Sequence, residues 1–374
     1  MPETKPTTDD FTIGVEEEYQ IVDPETRELK SRAFRILPGA KEDVGDKVTN
    51  ELFLSQIEIG TPVCRTLAEV RDELVRLRKA VVEAAAEQGC RIVAAGTHPF
   101  SRWQDQRLTP KERYDKILEE NQQLAREQII FGCHVHVGIA DREDGIRVMN
   151  RVRPWLPTLL ALSANSPYWL GRDTGYASYR TELFQRFPMT GIPGAFADRA
   201  EYDATVQALI DVGAIPEASR IYWDVRPSSH FETIEFRIAD VCARVDEAVA
   251  IAALCRALAR TCLDRAQRGE PAPQVRPELL RAAKWRAARY GLEGDLVDLH
   301  SMTSAPARSV VDRLMQFVRP AMEADGEWDE VSATVEEILA KGNGASRQRA
   351  RFARDEDLND AVDGLIEETA AGLD

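Results

Sequence analysis

The 374-residue sequence lacks a long apolar run and an excess of basic residues. No stretch approaches the ~20 consecutive apolar residues of a membrane-spanning helix, so we expect no membrane association. Residues 1–10 are polar and acidic, unlike a signal peptide, and are predicted to be a disordered leader. The formal net charge of −15 disfavours general nucleic-acid binding, because phosphate contacts need a basic surface.

Paired cysteines and phosphate-binding loops are also missing. The six cysteines are scattered and form no CxxC motif, which indicates reduced thiols and a cytoplasmic protein. Neither GxxxxGK[ST] nor a GxGxxG between strand and helix occurs. A bound nucleotide would therefore depend on metal ions and arginines to hold its phosphates.

What is present begins with residues 11–22, FTIGVEEEYQIV, in which apolar and polar residues alternate. This period of two predicts a strand with one buried and one polar face. Glu16 and Glu18 project from the polar face roughly 7 Å apart, whereas Glu17 falls on the apolar side, which the pattern does not explain. Because neighbouring carboxylates repel, we expect a cation between Glu16 and Glu18.

Four further segments read as strands, namely residues 52–59, 129–139, 220–226 and 231–239. Each carries ionisable residues on one face. They are Glu58 on the first, His134 and His136 on the second, Arg226 on the third, and Glu235 and Arg237 on the fourth. Glu51 would face the other way in an unbroken strand, so it joins this group only if a bulge or bend intervenes.

Helical spacing appears at residues 66–88, 110–127, 145–163 and 198–212, and almost continuously from about residue 244. Strands with one apolar face and helices between them predict an α+β fold, in which helices cover one face of an antiparallel sheet. No repeat or linker divides the chain, so residues 11–374 are predicted to form one domain with a helical C-terminal part from about residue 244. The irregular segment 164–194 is predicted to be a functional loop or lid.

The polar face of this sheet is either solvated or filled by cations. Two carboxylates ~6 Å apart repel by roughly 3 kcal/mol at an effective dielectric near 20, and several would add such unfavourable energies. Bound Mg²⁺ or Mn²⁺ removes this repulsion and prefers oxygen ligands. If the strands are neighbours, the sequence favours a metal-filled face.

The pair His134 and His136 could also indicate zinc, but zinc sites built on such a strand need further histidines, and only three remain. One histidine as a metal ligand, with its neighbour contacting substrate, is the preferred interpretation. His98, in the loop GTHPF, is either a substrate contact or a core histidine.

Seven segments together resemble the YbdK-type carboxylate–amine ligases, also called type 2 glutamate–cysteine ligases, which are related in catalytic fold to glutamine synthetase. They are GVEEEY at 14–19, ELFLSQIEIGTPV at 51–63, GTHPF at 96–100, GCHVHVGI at 132–139, SANSP at 163–167, TGYASYR at 174–180 and IEFRIAD at 234–240. The resemblance covers residues 11–368.

The resemblance implies an antiparallel sheet curved into a funnel, with ATP and two or three Mg²⁺ or Mn²⁺ ions. The metal ligands that it implies are Glu16, Glu18, Glu58, Glu235 and His134, with Glu51 at a further acidic position. Arg237 matches a basic residue beside the last carboxylate, and we expect Arg226 and Arg237 to hold a phosphate or the substrate carboxylate. Further candidates for contacting the substrate or ATP are His136, His98 and Arg180.

The implied reaction is ATP-dependent amide formation between a carboxylate and an amine through an acyl phosphate. Glutamate and cysteine are the expected substrates, giving γ-glutamylcysteine, ADP and phosphate. A metal-dependent amide hydrolase and a non-catalytic metal- or nucleotide-binding protein are the alternatives. The expected partners are these small molecules, and helix-rich surfaces are compatible with a homo-oligomer.

Overall fold

An antiparallel sheet of seven strands forms the centre of the computed structural model, which describes residues 11–373. The predicted leader at residues 1–10 lies outside the described residues. The strands in chain order are β1 (Ile13–Val22), β2 (Val48–Asn50), β3 (Gln56–Gly60), β4 (Arg91–Val93), β5 (Gly132–Gly138), β6 (Tyr168–Trp169), β7 (Arg172–Asp173), β8 (Thr190–Gly191), β9 (Tyr222–Trp223), β10 (Val225–Pro227), β11 (Thr233–Asp240), β12 (Asp295–Asp298) and β13 (Thr303–Pro306). The large sheet has the order β10-β11-β5-β1-β3-β2, and β4 also pairs with β1.

The helices surround this sheet and make up most of the C-terminal part. They are α1 (Ala33–Val44), α2 (Leu67–Glu87), α3 (Glu112–Asn121), α4 (Gln123–Arg126), α5 (Arg142–Val152), α6 (Leu156–Ser163), α7 (Tyr179–Phe184), α8 (Arg199–Asp211), α9 (Val245–Gln267), α10 (Pro277–Tyr290), α11 (Ala307–Asp325), α12 (Trp328–Lys341), α13 (Gly344–Asp355) and α14 (Leu358–Ala370). Within residues 11–373, no helix combines the length and the hydrophobicity needed to cross a membrane.

Helix α2 shows how local sequence sets an element. The Thr66 side chain accepts a hydrogen bond from the Glu69 backbone N–H and so caps the first turn, as its sequence predicts. The apolar stripe of α2 is buried and packs near β1, together with α9, which also covers β5. Because these helices take the apolar face of the sheet, the opposite, ionisable face is left to line a cavity. The predicted α+β fold is confirmed.

Several boundaries differ from the sequence-based expectation. Helix α1 was not predicted, because it has no capping side chain and contains Pro38. The helix expected up to residue 127 divides at Gln122, whose φ is +48°. The hairpin of β12 and β13 interrupts the helical C-terminal part, and segment 164–194 contains α7 and short strands.

Candidate active site

Strand register brings the predicted ionisable residues side by side on one face of the sheet. Glu16 lies opposite His134 in the pairing of β1 with β5, and Glu18 lies opposite Glu58 in the pairing of β1 with β3. On the other side of β5, His136 lies opposite Glu235 of β11. The strands that carry these residues are therefore neighbours, which was the condition for a metal-filled face.

A cavity of about 300 Å³ opens on this face. Its walls include every predicted site residue except His98: Glu16, Glu18, Glu51, Glu58, His134, His136, Arg180, Arg226, Glu235 and Arg237. Residues that the sequence did not single out also line it, among them Arg113, Tyr114, Phe184, Tyr222 and Phe231. Arg113, Tyr114 and Phe184 lie on helices outside the predicted strands. Tyr222 and Phe231 fall within the predicted strand segments 220–226 and 231–239, but an aromatic side chain there gives no sign of an ionic site.

Glu16 contacts both histidines of β5. Its Oε2 lies 3.2 Å from His134 Nδ1, and its Oε1 lies 3.5 Å from His136 Nε2. Burial opposes ionisation of Glu16, but its interactions with the two imidazoles outweigh burial and lower its pKa. Burial, with the nearby Arg237 guanidinium, lowers the pKa of His134 to about 4, so this ring is neutral at pH 7 and its contact with Glu16 is a hydrogen bond.

The spacing of three side chains would allow them to bind one cation: Glu16, His136 and Glu235. One potential ligand atom of each lies within 4.8 Å of the others. His136 Nδ1 lies 3.0 Å from the Thr233 hydroxyl, which fixes the ring with Nε2 towards Glu16. That nitrogen is buried and makes no hydrogen bond with any residue from 11 to 373. The family resemblance implies His134 as the metal ligand and leaves His136 as a substrate contact, whereas this geometry favours the reverse.

A second acidic group consists of Glu18, Glu51 and Glu58. The chain bends at residues 51–55 between β2 and β3, and this bend turns Glu51 into the cavity, as its inclusion required. Burial and the Glu51 charge raise the pKa of Glu18 to about 7. Burial, and then repulsion from Glu51, Glu16 and Glu18, raises the pKa of Glu58 well above its usual value. These carboxylates lack sufficient positive charge within the described chain.

Two arginines border the group formed by Glu16, His136 and Glu235. Arg226 Nε donates to Glu235 Oε2 at 2.8 Å, and Arg237 Nη1 donates to Glu235 Oε1. Burial opposes ionisation of Glu235, but these two guanidinium groups lower its pKa. Glu235 is therefore an ionised carboxylate held in a fixed orientation.

Arg180 belongs to α7 and forms part of the cavity wall. Its Nη1 lies 3.7 Å from Asp240 Oδ1, and Asp240 is itself fixed by hydrogen bonds from Ser166 and Ser178. The guanidinium lies against Gly132, where any side chain on the strand would collide with it. Arg180 Nε has no hydrogen-bond partner among residues 11–373. Arg180 is thus seated in the wall and does not belong to an irregular lid.

His98 lies buried outside the cavity, so of its two predicted interpretations the core histidine is confirmed and the substrate contact is wrong. Its Nδ1 accepts hydrogen bonds from the backbone N–H groups of Phe100 and Ser101 at 3.2 and 2.9 Å. Its Nε2 therefore carries the proton and donates to the Arg27 carbonyl at 2.8 Å. Both ring nitrogens are used in holding a buried loop, which leaves none for a substrate.

Glu17, unexplained by its sequence pattern, pairs with Arg78 beneath the sheet. Arg78 Nη2 and Nε donate to the two carboxylate oxygens at 2.6 and 2.9 Å, and the Tyr19 hydroxyl also donates to Glu17. A signal existed, because Arg78 lies on the apolar stripe of α2 between Leu74 and Val81. An arginine in such a stripe predicts a buried acidic partner.

Solved structures share this architecture. Glutamate–cysteine ligase from Francisella tularensis, determined in complex with AMP, superposes with a TM-score of 0.73 at 13% identity, over 98% of this chain and 90% of that one. A bifunctional glutathione synthetase from Pasteurella multocida also has a TM-score of 0.73, at 14% identity, over 97% of this chain and 52% of that one. At this identity the likeness establishes the fold.

Sequence relatives establish the class. A protein of Roseiflexus sp. (strain RS-1), named "putative glutamate–cysteine ligase 2", is 44% identical over 363 residues, covering 97% of this chain and 96% of the relative. A protein of Frankia alni, named "putative glutamate–cysteine ligase 2-2", is 45% identical over 372 residues, covering 96% of this chain and 97% of the relative. The protein is an ATP-dependent ligase that forms a carbon–nitrogen bond.

The family follows from the match of residues 12–367 to the profile of glutamate–cysteine ligase family 2. The chain belongs to this family, which confirms the resemblance found in its motifs. The hydrolase and the non-catalytic protein are accordingly not retained as alternatives.

Proposed function

We propose that the protein joins the γ-carboxylate of glutamate to the amine of cysteine, giving γ-glutamylcysteine, ADP and phosphate. The names of its relatives support this pair of substrates. The observation that carries the proposal is the convergence of acidic, imidazole and guanidinium groups on one sheet face inside a cavity. All six cysteines are buried free thiols, which supports a reducing, cytoplasmic location.

The residues fit divalent cations such as Mg²⁺ or Mn²⁺. His136 offers a buried nitrogen without a hydrogen-bond partner in the described chain, and Glu16 and Glu235 offer oxygens close to it. Glu18, Glu51 and Glu58 would hold a second ion, and crowded carboxylates of this kind are oxygen ligands that such ions prefer. His134 then orients Glu16 through its hydrogen bond. When bound, the ions neutralise charge on the ATP phosphates.

The side chains around the cavity divide the remaining tasks. We assign the binding of the transferring phosphate or the substrate carboxylate to Arg180, whose buried Nε is available, and to Arg226 and Arg237, which also fix Glu235. The substrate carboxylate attacks the γ-phosphorus and ADP leaves. The amine then attacks the acyl carbon, loses a proton, and phosphate leaves. The enclosed site limits hydrolysis of the acyl phosphate.

The variant Glu235→Gln tests this assignment. We expect turnover with ATP, glutamate, cysteine and Mg²⁺ to fall by at least about 100-fold, because the charge of a fixed carboxylate is lost. Turnover is measured as ADP release that requires both amino acids, with the amide product identified by mass. Far-ultraviolet circular dichroism should be unchanged.

The matched control is Glu232→Gln, an exposed glutamate immediately before β11. It should retain wild-type turnover. Undiminished ligase activity of Glu235→Gln would refute the site assignment. ADP release with other amino-acid pairs, but not with glutamate and cysteine, would refute the substrates and leave the site standing.

A further inference from the structure

A buried ion pair lies behind the part of the cavity wall that carries Arg226 and Arg237. Lys284 of α10 places its Nζ 2.8 and 2.7 Å from the two carboxylate oxygens of Asp224, and both side chains are 4% exposed. Neither residue of the pair lines the cavity. Asp224 is the single residue between β9 and β10, so α10 is fixed to the edge of the sheet where the strand of Arg226 begins.

The backbone of Asp224 links this ion pair to both arginines. Its carbonyl accepts a hydrogen bond from the Arg237 N–H at 2.8 Å, and Arg226 follows two residues later on β10. At Arg237 the pairing of β11 with β5 is irregular, because three steps from Phe236 to Ala239 lie opposite two steps on β5. A bulge of this kind disrupts the ladder locally and re-aims a side chain. The position of the Arg237 backbone therefore depends on Asp224.

The next turn of α10 contacts the segment that carries Arg180. The Ala288 carbonyl accepts hydrogen bonds from the backbone N–H groups of Ala177 and Ser178, at 2.8 and 2.9 Å. Ser178 is the N-cap of α7, and Arg180 is the second residue of that helix. Lys284 and Ala288 are four residues apart and so lie on one face of α10. This face therefore contacts the segments of all three arginines to which phosphate or carboxylate binding is assigned.

We propose that Lys284 is a positioning residue for the ligase reaction. Through Asp224 it sets where Arg226 and Arg237 meet the phosphate or carboxylate that they hold, although it touches no substrate itself. The inference rests on the proposed function, because the roles of the two arginines come from it. Displacing a binding group by about 1 Å can lower a rate by roughly 100-fold. Substrate affinity should therefore depend on a lysine that lies outside the cavity.

The test is the steady-state kinetics of Lys284→Met with ATP, glutamate, cysteine and Mg²⁺, at a temperature where circular dichroism shows folded protein. We expect kcat/KM to fall by roughly 100-fold. KM should rise by about tenfold for the substrate that the arginines hold, because a hydrogen bond between charged groups is weakened. Lys284→Arg keeps the charge and can pair with both oxygens, so its KM should stay within about threefold of wild type.

The double variant Asp224→Asn with Lys284→Met separates position from stability. It leaves no uncompensated buried charge, so it should regain thermal stability that Lys284→Met loses. Its KM should stay raised, because the ionic contact with α10 is absent. The matched control is Arg256→Met, which breaks the ion pair of the buried Arg256 with Glu327; neither of these residues lines the cavity. This control should lose stability and keep the wild-type KM.

Crystal structures of the wild type and the double variant give a readout that needs no substrate. We expect the guanidinium groups of Arg226 and Arg237 to shift by about 1 Å relative to Glu235. Unmoved arginines, an unchanged KM in Lys284→Met, or a double variant whose KM returns with its stability would each overturn the inference. If the wild-type protein does not turn over glutamate and cysteine, the proposed substrates fail, while the positions of the arginines still decide the inference.

Discussion

The two faces of β1 put adjacent glutamates into opposite situations. On the apolar face, Glu17 is fully buried, and both of its oxygens are paired with Arg78. On the other face, Glu18 and Glu58 lie directly opposite each other, and burial together with repulsion from Glu51 raises the pKa of both. A carboxylate that the chain itself neutralises stabilises the fold, whereas carboxylates left short of positive charge are suited to bind cations.

The largest effect is expected from breaking the buried ion pair between Glu17 and Arg78. Glu17→Gln should lower the free energy of unfolding by about 3–5 kcal/mol, because it leaves the buried Arg78 guanidinium without its counter-charge. Urea denaturation measures this loss.

The double variant Glu17→Gln with Arg78→Met serves as the control. It should recover part of the lost stability, because an uncompensated charge is no longer buried. Wild-type stability of Glu17→Gln would contradict the view that this face is held by the ion pair.

The same contrast shows what sequence pattern can and cannot predict. Alternation predicted β1, β5 and β11, and apolar spacing with a capping box predicted α2, because these signals are local. The pairing of Glu17 with Arg78 spans 61 positions and is not encoded in any local period. Strand β2 has only three residues, too few to show a pattern.

The site was predictable as a set of residue types, but its geometry was not. That Glu18 meets Glu58, and that His136 rather than His134 joins Glu16 and Glu235, follows from strand register and from the Thr233 contact. Glu51 could join the acidic group only if the chain bends before β3, and the sequence alone did not show whether it does.

His98, whose two ring nitrogens are also paired within the chain, gives a second test with a smaller expected effect. Burial lowers the pKa of His98 to about 4, so the folded protein keeps the ring neutral. Between pH 6.5 and 4 the unfolded chain binds the proton more readily, and up to about 3 kcal/mol of stability is lost as pH falls through that window. His98→Asn should remove this part of the pH dependence in denaturation measured from pH 7 to pH 4.

Activity provides the control for His98. Because the ring lies outside the cavity, His98→Asn should keep turnover within about twofold at pH 8, provided that the protein is folded. A loss comparable with that of Glu235→Gln would mean that His98 acts in the site after all.

The smallest expected change in stability comes from the crowded face. In the presence of EDTA, Glu58→Gln should raise the free energy of unfolding at pH 8 by about 1 kcal/mol, since burial and repulsion make this carboxyl harder to ionise in the folded protein than in the unfolded chain, and glutamine does not ionise. The same variant should lose ligase turnover and the stabilisation that Mg²⁺ gives to the wild-type protein. Glu83→Gln, an exposed position on α2, should change none of these quantities. If Glu58→Gln instead destabilised the protein in EDTA as Glu17→Gln does, Glu58 would be neutralised within the chain, and the contrast between the two faces of β1 would fail.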